Sequence, residues 1–241
     1  MISDKKDSFL FLKMTPQKQI MWGIGAGIVL VIFGFVLPTL HGVMEFYLDK
    51  GEYLSLRDLS LFTGVVVTPI TSLSVYLYGT GLRGIGRKVN SIHAKKAGWG
   101  FFGEAMGHLI FSLTTINFGL AAGKVASSGD ELLLHTPGFL KGMSSFIPGT
   151  FAGIGCYYMY RHFSETKEEY GKMGSLMIVG GIFLSIIAKT LLFYRYPSYW
   201  FEMWEIGHGI KSAGIVLTIY SLFRQYKNSS TGATLTAFIE E

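Results

Sequence analysis

Residues Ile20–His41 read IMWGIGAGIVLVIFGFVLPTLH, a stretch with no Asp, Glu, Lys or Arg. At about 1.5 Å of rise per residue, a helix over this stretch reaches roughly 33 Å, enough to cross the hydrocarbon core of a bilayer. Five more apolar runs follow it: Leu59–Leu82, Trp99–Ala122, Gly138–Tyr160, Met173–Tyr194 and Glu202–Phe223. Unpaired backbone groups cannot face lipid, and runs this long and unbroken do not suit barrel strands. The reading is therefore all-α: a polytopic integral membrane protein built as a six-transmembrane-helix bundle. It forms a single membrane domain over 1–241, with tails at 1–19 and 224–241.

Composition agrees. Of 241 residues, 49% are hydrophobic and 15% charged, and the mean hydropathy is +0.38, whereas a soluble domain carries about 25% charged residues. Cys156 is the single cysteine, which excludes an intrachain disulfide and a thiolate metal cluster. The net charge of +5 lies beside hydrophobic segments, where it sets topology and meets anionic headgroups, so nucleic acid is not an expected partner.

Positive charge is retained on the cytoplasmic side. Lys5, Lys6, Lys13, Lys18, Arg83, Arg87, Lys88, Lys95, Lys96, Arg161, Lys167, Lys172, Arg224 and Lys227 fall on one side of the expected bundle. Lys50, Arg57, Lys124, Lys141 and Arg195 fall on the other. This asymmetry puts both termini in the cytoplasm. Pro38 and Pro137 are expected to flank helix ends, and Pro69 and Pro148 to kink the second and fourth helices.

Gly79, Gly81 and Gly84 spell G-x-G-x-x-G, but the motif follows a membrane helix instead of a strand, so no nucleotide site is expected. Small-xxx-small pairs at Gly23/Gly27, Gly103/Gly107 and Gly149/Gly153 point to close helix packing. Tyr194, Tyr196, Tyr199, Trp200 and Trp204 read as an aromatic belt at the interface.

Ionisable side chains inside hydrocarbon cost about 2.5–3.5 kcal/mol each on the insertion scale and so mark candidate functional sites. Glu104, His108, Ser112 and Thr115 fall within about 80° of one another on the third helix. Glu205, His208 and Ser212 fall within about 60° on the sixth, with Lys211 beside them. Glu104, His108, Lys189, Glu205, His208 and Lys211 are thus expected to form a polar pocket or proton relay toward the outer side, with helices three and six in contact.

His41, His108 and His208 are candidate metal ligands, for a b-type haem or a transition metal. His93, Gly98 and His108 form H-x4-G-x9-H, which resembles the start of a haem-carrying helix in ferric-reductase-type and cytochrome b561-type proteins. In those families two helices usually each supply a histidine pair, and this chain has no second pair of that kind. The resemblance implies haem ligation by this helix.

Three functions fit these residues. One is a membrane-embedded redox or metal-binding protein, as a subunit of a larger oxidoreductase complex. The second is a small proton-coupled transporter or channel using the same Glu, His and Lys residues. The third is a non-catalytic sensor, scaffold or assembly subunit. The bilayer is the expected partner in each, together with membrane protein partners or further copies of the chain.

Overall fold

A computed structural model describes residues 14–193 and 200–239, which are helical almost throughout, with no strand among them. α1 spans Pro16–Asp49, α2 Tyr53–Phe62 and α3 Thr68–Lys88. α4 spans Ile92–Ser128, α5 His135–Ser144, α6 Phe146–Glu165, α7 Glu169–Phe193 and α8 Trp200–Ile239. Five helices are long and apolar enough to cross a membrane: Pro16–Asp49, Tyr53–Lys88, Ile92–Ser128, Glu169–Ala188 and Met203–Asn228.

Local chemistry explains where these helices begin and bend. Thr15 caps α1 by accepting from the Lys18 N–H, with Pro16 in the first turn, and Ser91 caps α4 by accepting from the Ala94 N–H at 3.2 Å. α2 and α3 join through a π-helical turn, Thr63–Val67, placed just before Pro69. A proline ring collides with the carbonyl four residues back in a regular α-turn; the wider turn makes room, and the Thr68 hydroxyl donates to the Thr63 carbonyl.

Pro137 lies in the first turn of α5, as expected, but the structure differs from the sequence expectation at two other prolines. Pro38 lies within α1, which continues to Asp49, and does not end it. Pro148 is the third residue of α6, so it interrupts a helix instead of kinking one. It blocks the bond that would return to the Ser144 carbonyl, and the Ser145 N–H turns back to Gly142 at 3.2 Å. The run Gly138–Tyr160 is therefore two helices, α5 and α6. The segment after 223, expected as a tail, continues α8 to Ile239.

Connections are short, and four of them turn on a left-handed residue: Gly51, Asn90, Gly129 and Lys167, with φ of 69°, 52°, 72° and 56°. The helices pack as a closed ring in chain order. α1 neighbours α3, then α4, α6 and α7 follow, and α8 closes back onto α1. Backbones meet directly at several joints: a Cβ on Gly23 would lie 2.5 Å from Gly81 Cα, one on Gly100 2.5 Å from Gly155 Cα, and one on Gly181 closer still to the Gly207 carbonyl. Gly79, Gly81 and Gly84 thus serve helix packing, against Gly98, Gly23 and Pro16 in turn. Gly153 has nothing within 4 Å, so the Gly149/Gly153 pair is no packing seam.

Candidate functional site: a polar column inside the ring

α4 and α8 face each other across the ring and do not pack as neighbours. Side chains fill the space between them. Glu104 of α4 is 2% exposed; its Oε1 receives Lys211 Nζ of α8 at 3.4 Å and lies 3.7 Å from His108 Nε2 one turn along α4. At this separation and an effective dielectric near 20, the pair gains about 5 kcal/mol of gross attraction, against a desolvation cost of several kcal/mol per ion. These terms nearly cancel.

Beyond this set, toward the end of the ring where α1 finishes, lies an aromatic layer. His41 and His208 both contact the Trp204 indole, with ring centroids 5.6 and 5.2 Å away, and His41 also stacks on Phe111 at 5.9 Å. His41 Nδ1 donates to the Leu37 carbonyl at 2.9 Å, which leaves Nε2 as its acceptor nitrogen. Trp204 is 6% exposed and belongs to this interior layer, not to an interfacial belt. Tyr194, Tyr196 and Tyr199 lie outside the described residues, as do the Trp200 and Lys189 side chains.

Several expected site residues are placed elsewhere. Glu205 is exposed on the outside of α8, because it follows Trp204 by one residue and the helix turns it about 100° away. Ser112 donates to the Gly64 carbonyl, while Ser212 packs against Gly34, so the two serines expected to join helices three and six turn to different neighbours. Among the described residues no group of three or more His, Cys, Asp or Glu could hold a metal ion. His93 pairs with Glu165 at 3.0 Å at the opposite end of α4 from the aromatic layer.

Toward the end where α1 begins, the column continues. Tyr78 is fully buried, its hydroxyl 2.6 Å from Thr218 Oγ1 and 3.5 Å from Met159 Sδ. Phe101, Ile215, Leu222 and Phe163 belong to the same buried apolar cluster as Tyr78.

Below them is a network that sequence reasoning missed. His162, 0% exposed, contacts Ser91 Oγ through Nδ1 at 3.0 Å and Gln225 Oε1 through Nε2 at 3.0 Å. The Gln225 amide donates to Thr166 Oγ1 at 2.9 Å, so its carbonyl faces the imidazole and His162 carries its proton on Nε2. Burial lowers the His162 pKa below the ordinary histidine value, with the Gln225 bond acting in the opposite direction.

A signal was available in the spacing. Trp204, Lys211, Thr218 and Gln225 recur every seven residues, and so face the ring interior along one stripe of about 32 Å. Cys156, Met159 and His162 mark the matching face of α6 and are all buried.

Comparison with family models, curated proteins and solved structures finds no match to this chain.

Proposed function

We propose that the chain is a multi-pass membrane protein acting as a small proton-coupled transporter or channel. Glu104, His108 and Lys211 are its proton-exchanging groups. The observation that carries this reading is the pair of buried Glu104 with part-buried Lys211, bridging two helices that do not pack as neighbours. Ionisable groups at this depth mark ion and proton pathways. The His41–Trp204–His208 layer on one side of the pair and the Tyr78–Thr218 and His162–Gln225 contacts on the other supply the rest of a path.

In this reading α5 and α6 together make the sixth crossing, and both termini are cytoplasmic. Large apolar side chains such as Ile32, Phe35, Leu113 and Phe183 are exposed on the outside of the ring, as lipid contact requires. The end where α1 begins bears Arg87, Lys88, Lys95, Lys96, Arg161 and Arg224, which supports its cytoplasmic placement. Cysteines introduced at Asp130 should label from outside the cell, and cysteines at Lys167 only after permeabilisation. The reverse pattern would overturn the orientation.

The redox alternative would use His41, His108 and His208. It has less support, because two of these rings contact the Trp204 indole and the third faces Glu104. Proton uptake by vesicles reconstituted with the protein, followed with an enclosed pH-sensitive dye under an imposed potential, tests the transport reading. Flux above that of protein-free vesicles is expected, and its absence would exclude a proton-conducting role.

A further inference from the structure

The exposed surface of α4 carries a mixed stripe. Leu113, Asn117, Leu120, Lys124 and Ser127 follow one another at i, i+4, i+7, i+11 and i+14, and all five are exposed. Two leucines flank an amide in the middle of the helix, and a cation and a hydroxyl follow toward the end where α4 finishes. Arg57 of α2 joins it there. A groove of about 510 Å3 opens at this place, lined by Arg57, Asn117, Leu120, Lys124, Ser127 and Leu133 among others.

Two details fit this groove to an anion with an apolar tail. The Arg57 stem lies across α4 where Gly123 leaves room, since a Cβ on Gly123 would fall 2.8 Å from Arg57 Cδ. Asp58 holds one edge of the guanidinium, with Nε and Nη2 both 2.8 Å from its Oδ1, and leaves Nη1 for another acceptor. With Asp58 compensating the Arg57 charge, Lys124 leaves the groove net positive, and no acid is among its lining residues.

We propose that this groove binds a glycerophospholipid from the leaflet facing the ends of α2 and α4. The phosphodiester sits between Arg57 Nη1 and Lys124, and an acyl chain runs along Leu120 and Leu113, passing the Asn117 amide between them. The proposal rests on the membrane reading above but not on proton transfer. Arginine recognises phosphate through oriented donors and lysine through point charge, so both contacts are charge-assisted.

Native mass spectrometry of the full chain, released from detergent and titrated with phosphatidylglycerol, tests it. One tightly retained lipid is expected. Lys124→Glu, at an exposed position that leaves the fold intact, should weaken retention by roughly tenfold, the loss of about one charge-assisted contact. Gly123→Leu, which displaces the Arg57 stem, should do the same. Glu104→Gln should retain lipid normally, which separates failure of this site from failure of the transport reading. Equal retention in Lys124→Glu, equal binding of diacylglycerol, or equally tight binding of inorganic phosphate alone would each overturn the proposal.

Discussion

Lys211 and Glu104 meet at 3.4 Å, although the helices that carry them stand on opposite sides of a six-helix ring. Only side chains as long as these can close that distance. The pair therefore ties the ring across its middle, and each charge compensates the other, with His108 Nε2 3.7 Å from the same carboxylate oxygen.

A double-mutant cycle should expose this dependence. Lys211→Met leaves a buried carboxylate without its main partner and should cost about 3 kcal/mol of stability in detergent. Glu104→Gln/Lys211→Met removes both charges and should recover much of that loss, giving a coupling of about 1–3 kcal/mol. Denaturation midpoints that simply add would show that the two groups do not sense each other.

Stability should also fall in mild acid, through His162. Its pKa is lowered by burial, so the folded protein binds fewer protons at this group than the unfolded chain. The contribution is complete above the ordinary histidine pKa of about 6.5 and is lost as the pH drops through the lowered value. Thermal unfolding between pH 7.5 and 5.5 should show a loss of Tm that is smaller in His162→Gln, where no titration occurs. Identical pH profiles for the two proteins would remove His162 from the account.

The crossing of α4 with α6 gives a packing test. Gly100→Val places its Cβ against the Gly155 backbone, where a 2.5 Å approach cannot be relieved by a side-chain rotation. The two helices must separate, at a cost of about 1–3 kcal/mol or more. Folded yield and Tm should both fall, while Gly153→Val, where nothing lies within 4 Å, should be tolerated. Equal behaviour of the two variants would contradict the helix pairing.

Much of this architecture was legible in the residues. Apolar run length located the helices because the bilayer fixes how many residues a crossing needs. Helix ends were less legible, since polar residues such as those before Leu59 and after Phe223 continue a helix as readily as they leave it. Pro148 was misread for a related reason: a proline three residues into a new helix looks in sequence like one inside an old helix. At the site, Glu104, His108 and Lys211 stood out because charge inside an apolar run is costly. Glu205 stood out for the same reason yet faces outward, because cost alone does not reveal which face of a helix a neighbour covers. His162 escaped notice because it lies just past an apolar run, where a histidine is unremarked, and its partners Ser91 and Gln225 are 71 and 63 residues away.

The titratable carboxylate at position 104 is the central claim, and proton flux through a variant that keeps the ring intact tests it most directly. Glu104→Gln/Lys211→Met is suited to this, because it removes the proposed proton-exchanging pair without stranding a charge in the interior. Reconstituted into vesicles with an enclosed pH-sensitive dye, wild-type protein should conduct protons under an imposed potential, and the double variant should conduct at least about tenfold less, the range in which a positioned proton-transfer group contributes. Undiminished flux in the folded double variant would contradict the account.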